Sequence, residues 1–358
     1  MKTIKNKIFA LIFSLTIFTP LFWSCENAIE FDGEQMAPMI VMNALISPDS
    51  LLKVQLSKSK FFLKDNNSFE SIDNAEVKLY VNDTLFETLS FSGNGNYIGT
   101  YIPKPSDVVK ITAKQANFNE VSASTDIIAP TQITGIDTVS LKTEVYPIEM
   151  YESYNGNKPT IDTLGYSYNK RMNIKVNIND DPNLKNFYRV SVRIKQYFDD
   201  GSEGERDYYL QSDDLVFGST DESGLFGEGY SRSMYNEFSD ELFNGKNYAF
   251  KMSVNFNSVV YNNTDNNKPK NPNEQELPKL VRNEMILQLH SISESYFKYL
   301  KTLNSNSNVL EFFAEPVQIY NNIKGGIGIL GSYKIDNYVM QIPVEYMNDS
   351  YQYRYYGN

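Results

Sequence analysis

The amino-acid sequence predicts a mainly β protein with two immunoglobulin/fibronectin-like β-sandwich domains, the second elaborated with long loops and one amphipathic helix. Over residues 39–129, about seven short runs alternate between apolar and polar residues, with turn signals between them. Longer alternating runs follow in residues 130–358, separated by loops rich in Asn, Asp and Gly. Tyrosine (26 residues) and phenylalanine (22 residues) are abundant, and aromatic residues favour strands.

The first domain shows the period of two that strands require. Val77, Leu79 and Val81 fall on one face of a strand, with polar residues between them. The Asn-Asp pair at 82–83 predicts a tight turn. Residues 129–131 (Ala-Pro-Thr) are expected to form the linker to the second domain.

The second domain contains one helical pattern and one long loop. The segment 292–303 predicts a helix because its apolar residues recur at helical spacing. These residues are Ile292, Tyr296, Tyr299, Leu300 and Leu303. Ser291 and Glu294 fit a capping box at its start. Residues 262–278 (NNTDNNKPKNPNEQELP) predict a solvated loop.

The N-terminus predicts export and lipidation. Residues 1–24 resemble a signal peptide, with three lysines followed by an apolar run, 8–18, that is too short to span a bilayer. Residues 21–25 (LFWSC) resemble a bacterial lipobox, and Cys25 is the only cysteine in the chain. We expect cleavage before Cys25, lipidation on it, and an acidic tether over 25–38 that holds the protein at the outer membrane. The alternative is a stray thiol.

The net charge of the chain indicates one class of partner that it disfavours. Its formal net charge is −11, which repels phosphate backbones and makes nucleic acid an unfavourable partner.

Residues 326–331 match the G-x-G-x-x-G pattern of dinucleotide sites. Such a site needs a helix directly after the glycines, whereas SYKIDNYVMQIP follows and reads as a strand. The glycines are therefore interpreted as a bulge or bend between strands, and no cofactor is expected.

Two further groups of residues are candidates for chemistry. His290 is the only histidine, so it cannot form a histidine-based metal site and is interpreted as an ordinary edge or surface residue. Residues 199–207 contain five carboxylates, which could hold Ca²⁺. They lie between two predicted strands in an order unlike an EF-hand, so a solvated hairpin loop is the favoured interpretation.

The C-terminus is dense in residues that favour interfaces. The candidate partner contacts are Tyr351, Tyr353, Arg354, Tyr355 and Tyr356. An ordinary last strand and tail is weighed equally.

Several segments resemble a Bacteroidota outer-membrane lipoprotein family, known as domain of unknown function 4249. They are residues 291–300 (SISESYFKYL), 313–323 (FAEPVQIYNNI), 326–333 (GIGILGSY) and, near the start, 40–48 (IVMNALISP). The resemblance implies an outer-membrane lipoprotein, of a family often encoded beside TonB-dependent receptors. The resemblance assigns no catalytic residues to this chain.

The expected function is that of a non-catalytic accessory or binding subunit of a TonB-dependent transporter or another large outer-membrane barrel complex. The alternative is a stand-alone surface lipoprotein that binds glycan or protein. A third class is a hydrolase with paired carboxylates, which need no local motif.

Two further expectations concern the cell surface. Acidic residues after Cys25 resemble the Bacteroidota signal for surface display. Four Asp-Ser/Thr-apolar sites resemble acceptors of O-glycosylation in that phylum. They are Ser50, Thr84, Thr138 and Thr163.

Overall fold

The described residues form seventeen β-strands and one α-helix. The computed structural model describes residues 37–60, 69–151, 161–217, 235–261, 278–305 and 318–344, and those from Pro38 onward belong to one compact unit. The first eight strands are β1 (Ile40–Ile46), β2 (Lys53–Lys58), β3 (Glu76–Val81), β4 (Thr84–Thr88), β5 (Ser90–Gly93), β6 (Asn96–Ile98), β7 (Val108–Lys114) and β8 (Val121–Asp126). The others are β9 (Ile133–Tyr151), β10 (Ile161–Asn179), β11 (Phe187–Phe198), β12 (Glu203–Tyr208), β13 (Leu210–Gln211), β14 (Glu237–Ser239), β15 (Asn247–Tyr261), β16 (Leu280–Ile292) and β17 (Ile327–Ile342), with α1 (Glu294–Ser305) before β17.

The first hydrophobic core lies between two sheets. A four-stranded sheet, in the order β4-β3-β7-β8, faces strands β1, β2, β6 and β5 at one end of a nine-stranded sheet. Every second side chain points inward, so Met42, Leu56 and Leu79 are fully buried. Residues 84–91 form two strands, because β4 pairs with β3 and β5 pairs with β6. The chain therefore crosses from one sheet to the other at Leu89.

The second core is larger and more aromatic. The sheet β13-β15-β10-β9 faces strands β12, β11, β16 and β17 at the other end of the nine-stranded sheet. Phe238 lies in this core, and its ring centroid is 5.2 Å from that of Tyr188, 5.0 Å from Phe217 and 5.3 Å from Phe250.

A parallel pair of strands joins the two ends of the nine-stranded sheet. β17 pairs in parallel with β1, from Ile327 opposite Val41 to Ser332 opposite Ile46, and antiparallel with β16. The same strand places Leu330 in the first core and Ile342 in the second. Strands from both predicted domains therefore share one sheet, and Ile323 and Leu330, which follow the predicted boundary at residue 129, belong to the first core.

The predicted fold class is confirmed: the described chain is mainly β, with sandwiched sheets and one α-helix. Helix α1 begins at Glu294, two residues later than predicted, because β16 continues to Ile292. Ser293 takes the N-cap position, and its Oγ accepts a hydrogen bond from the Tyr296 N–H at 3.4 Å. The predicted capping box is wrong, since Ser291 lies within β16.

The predicted linker is fixed to the second core. The Thr131 N–H donates to Ser291 Oγ at 2.9 Å, and Thr131 Oγ1 lies 3.1 Å from the Tyr188 hydroxyl. Two residues later, the Ile133 N–H donates to Asp336 Oδ2 at 2.8 Å. These contacts hold the connection between the two cores in one conformation.

Candidate binding cleft

An open cleft of about 540 Å³ lies between the edge of the first sandwich and the start of α1. One wall is formed by β8 and β7, and the other by the first residues of α1 and the loop that precedes β17. The lining residues are Asp83, Val108, Lys110, Ser122, Ala123, Ser124, Thr125, Asp126, Ser293, Glu294, Ser295, Tyr320, Asn322 and Lys324.

Both ends of the β8 wall are held by hydrogen bonds. The Ser122 N–H donates to the Lys324 carbonyl at 3.1 Å, and the Lys324 N–H donates back to the Ser122 carbonyl at 2.8 Å. At the other end, Ser332 Oγ donates to the Asp126 carbonyl. Because every second residue of a strand faces the same edge, Ser124 presents its backbone N–H and C=O to the cleft. Among the described residues, no strand pairs with this part of the β8 edge.

The opposite wall is fixed by contacts between α1 and β17. Gly331 lets the helix approach the strand, because a Cβ there would lie 2.8 Å from the Tyr296 Cβ. Ser295 Oγ donates to the Leu330 carbonyl at 2.9 Å. Asn322 pairs with the same residue, as its Oδ1 accepts from the Leu330 N–H at 2.9 Å and its Nδ2 donates to the Leu330 carbonyl at 2.8 Å.

The lining of the cleft is polar and carries both charges. Serine and threonine hydroxyls, the Asn322 amide and the Tyr320 ring offer donors, acceptors and one aromatic surface. At the mouth, Glu294 forms an ion pair with Lys298 at 3.0 Å, and this hydrogen bond raises the pKa of the lysine. The Lys298 ammonium also lies 5.9 Å from the Tyr320 ring centroid. Such a surface is suited to an extended polar ligand with its own hydrogen-bonding groups.

The glycine pattern at 326–331 has a structural explanation. β17 begins at Ile327, so a strand and not a helix follows the first glycine, in accordance with the sequence interpretation. Gly328 has φ of +125°, and a Cβ on it would overlap the Met42 carbonyl oxygen of β1. A Cβ on Gly326 would lie 2.5 Å from the Ile40 carbonyl oxygen. These two glycines allow β17 to approach β1 closely.

His290 lies on the outer face of the nine-stranded sheet, away from the residues that line the cleft. Its strand, β16, is flanked by β11 and β17, so the residue does not lie on a sheet edge, and its side chain is half-buried. Its Nε2 is 3.1 Å from Ser191 Oγ. Burial, then the charges of Arg189 and Arg193, lowers the pKa of the imidazole to about 4. The charges of these two arginines oppose the imidazolium that a serine–histidine nucleophile must form.

Replacing His290 with glutamine should flatten the dependence of stability on pH. The folded pKa is about 4 and the ordinary value is 6.5, so the unfolded chain binds the proton first as the pH falls through this window. The parent protein should therefore lose up to about 3 kcal/mol of unfolding free energy between pH 6.5 and 4 through this residue. Urea unfolding of parent and variant across the window measures the difference. Parallel loss of stability in both proteins would contradict this account.

The acidic segment 199–207 forms a hairpin turn and the start of β12. Its carboxylates spread along the strand and pair with basic residues of β11. Arg193 binds Glu205 at 3.0 Å and Asp207 at 2.9 Å, while Lys195 binds Glu203 at 2.7 Å. Asp200 Oδ1 accepts from the Ser202 N–H at 2.9 Å. The arrangement is that of cross-strand ion pairs, and across the described ranges no group of three or more His, Cys, Asp or Glu residues is placed to hold a metal ion.

The remaining predicted sites are the lipidation site, the contacts of the C-terminal tail and the four glycosylation acceptors. Cys25 and the tail residues Tyr351, Tyr353, Arg354, Tyr355 and Tyr356 lie outside the described residues. Ser50 is exposed in a bend, and Thr84 is exposed where β4 begins after the 82–83 turn. Thr138 is exposed in β9, and Thr163 belongs to β10. None of the four proposed glycosylation sites is among the residues that line the cleft.

The cleft itself was not predicted from the sequence. Its walls come from four separate parts of the chain, residue 83 and residues 108–126, 293–295 and 320–324, and no local motif links them. One signal was present: residues 293–295 lie within, and residues 320–324 overlap, the stretches that resemble the lipoprotein family, 291–300 and 313–323.

One solved structure that is similar comes from Corynebacterium diphtheriae and is described as a putative membrane anchored protein, with 9% sequence identity and a TM-score of 0.19. The match covers 73% of this chain and 56% of that one, and at this TM-score it supports no argument. No curated protein matches the chain. Within the described part of the chain, no helix is long and apolar enough to cross a membrane.

The family is established by a direct match. The model of the domain of unknown function 4249 matches residues 26–338, which include the cleft and every described strand up to most of β17. The chain therefore belongs to the family of the domain of unknown function 4249.

Proposed function

We propose that this protein is a non-catalytic, lipid-anchored binding subunit of the outer membrane that docks to a large β-barrel complex such as a TonB-dependent transporter. The observation that carries the proposal is the cleft between β8 and α1. It combines an open strand edge at Ser124 with hydroxyl, amide and aromatic groups on walls that hydrogen bonds hold in place.

The chemistry of the cleft favours an extended polypeptide from the partner. A partner strand or loop can pair with the backbone groups of Ser124 while its side chains meet the polar walls, as in other cases of recognition at a sheet edge. Lys110 and Lys324 offer positive charge, and Asp83 and Glu294 offer negative charge. A polar segment with mixed charges fits this lining.

The lipid anchor at Cys25 and the tyrosine-rich C-terminal tail would both support docking to a membrane partner. Lipidation of Cys25 confines the protein to the membrane and raises the effective concentration of a membrane partner, so a modest affinity suffices. The tyrosine-rich tail is proposed as a second contact, and display on the cell surface places both contacts beside the extracellular loops of a barrel.

The substitution Cys25→Ser tests the anchor. It should abolish acylation, because Cys25 is the only thiol in the chain, and it should release the protein from the membrane fraction. Metabolic labelling with palmitate, followed by fractionation, measures both effects. Label retained on the Cys25→Ser protein would contradict lipidation at this residue.

Purification of the native protein in mild detergent tests the function. We expect an outer-membrane β-barrel protein to copurify in a stoichiometric amount. Reversing a charge in the cleft with Lys324→Glu should lower its yield, whereas Lys53→Glu, at an exposed lysine outside the cleft, should not. A lone monomer, or equal yields for both variants, would contradict docking through the cleft.

The alternative is a stand-alone surface protein that binds glycan or protein. The hydroxyl-rich lining and the ring of Tyr320 favour this candidate, because sugars bind through hydrogen bonds and aromatic faces. It predicts that the detergent-purified protein is a lone monomer and that Tyr320→Ala weakens binding to the ligand.

A further inference from the structure

The strand β9 exposes a long free edge. It contains 19 residues and is the last strand of its sheet, which has the order β13-β15-β10-β9. It pairs with β10 on one side, and among the described residues no strand pairs with its other side. Residues 142–147 are all exposed, with Val145 50% and Tyr146 53% accessible. An unpaired edge of this length is a ready template for another strand.

The two faces of β9 can be assigned from its register with β10. Leu141, Thr143 and Val145 lie opposite Met172, Lys170 and Tyr168, which continue the core-facing side of β10.

The alternate residues Lys142, Glu144 and Tyr146 therefore lie on the outer face. There the Tyr146 hydroxyl donates to Glu144 Oε2 at 2.8 Å. The edge thus carries Leu141 and Val145 on one face and the opposite charges of Lys142 and Glu144 on the other.

The segment 140–146, SLKTEVY, is complementary to itself. Two copies of one strand that pair antiparallel about a two-fold axis must be centred on a residue, so that paired side chains point to the same face. If the axis lies at Thr143, Lys142 faces Glu144 of the second copy and the reverse pair forms as well.

In the same register, Leu141 faces Val145 and Ser140 faces Tyr146. No other two-fold register along β9 sets Lys142 opposite Glu144. In this one register, the side chains on both faces of β9 are therefore complementary to those of the second copy.

We propose that β9 is a dimerisation edge, which pairs antiparallel with β9 of a second copy about Thr143 and joins the two sheets into one. Pro147 has no N–H and ends the ladder on one side. On the other side, the β-bulge between Thr138 and Ser140 breaks the regular register of β9. The paired segment is therefore residues 140–146, and the dimer should dissociate readily on dilution.

Charge reversal tests the register. Lys142→Glu places two carboxylates opposite each other at both symmetry-related pairs, and Glu144→Lys places two ammonium groups opposite each other in the same way. Each variant alone should therefore raise the dimer dissociation constant about tenfold or more. An equimolar mixture of the two variants should form a heterodimer, because its members carry opposite charges at the paired positions.

Sedimentation equilibrium across a range of concentrations measures both variants and their mixture, and matching thermal transitions show that the fold is retained. A monomeric parent protein, or a mixture that stays monomeric, would overturn the proposal.

A disulfide gives a second test. The axis sets Thr143 directly opposite its own copy, at a Cα separation of about 5 Å that a disulfide spans. In the full chain carrying Cys25→Ser, Thr143→Cys should therefore give a covalent dimer under mild oxidation. Ser140→Cys is the matched control, because residue 140 faces Tyr146 of the second copy and should crosslink far less. Equal crosslinking of the two variants would contradict the register.

Discussion

Replacing Gly328 with valine should greatly destabilise the protein, because this residue lies at the junction of the two cores. Its φ of +125° is strained for any L side chain, and a Cβ would overlap the Met42 carbonyl oxygen of β1. We expect the free energy of unfolding to fall by about 3 kcal/mol or more. Since β17 supplies Leu330 to the first core and Ile342 to the second, both cores should lose stability together in urea unfolding.

Gly93→Val is the matched control for this substitution. Gly93 also has positive φ, +104°, but a Cβ there would meet no atom within 4 Å. Gly93→Val therefore loses stability only through its strained backbone conformation. The difference in unfolding free energy between the two variants then isolates the steric contact of β17 with β1. Equal destabilisation by the two substitutions would contradict a close-packed junction.

Removing the carboxylate of Asp180 should have the second large effect. The side chain is 4% exposed, and it accepts hydrogen bonds from the Tyr188 hydroxyl, from Asn186 Nδ2 at 3.2 Å and from the Gly245 N–H at 2.9 Å. Asp180→Ala removes the acceptor of the Gly245 N–H and one buried acceptor each of Tyr188 and Asn186, so we expect a loss of about 3 kcal/mol. Because Tyr188 also contacts Thr131, the linker should become more accessible, which limited proteolysis measures.

The adjacent Asp181 supplies the control. It is exposed, and its Oδ1 accepts from the Asn183 N–H at 2.9 Å within its own turn. Asp181→Ala should change stability by less than about 1 kcal/mol. If both variants lose the same stability, the hydrogen bonds of Asp180 do not fix the linker.

The fold class was predictable because it depends on local periodicity. Val77 and Leu79 alternate with polar residues, and this pattern alone indicates a strand with one buried face. The helix was also predictable from its apolar stripe, but its start was not, because the extension of β16 to Ile292 depends on pairing with β11 and β17. No local pattern reports which strands become neighbours.

The shared sheet and the cleft were not predictable for that reason. β1 and β17 come from opposite ends of the described chain, and their parallel pairing depends on the close approach at Gly328. The cleft in turn requires that α1 lie on Gly331 beside the edge of β8. A strand was correctly predicted after the glycines at 326–331, but the bulge or bend between strands was wrong, because Gly328 and Gly331 lie within β17, which pairs with β1 without a register shift.

We propose that the cleft between β8 and α1 binds an outer-membrane barrel protein, and crosslinking in intact cells tests this claim. A photoreactive amino acid at Ser124 would place the probe on the open edge of β8, and one at Thr88 would place it on β4, at the opposite edge of the same sheet. Irradiation should give one discrete adduct from position 124, identified by mass spectrometry as a β-barrel protein, and none from position 88. Absence of an adduct at 124, or the same adducts from both positions, would contradict the claim.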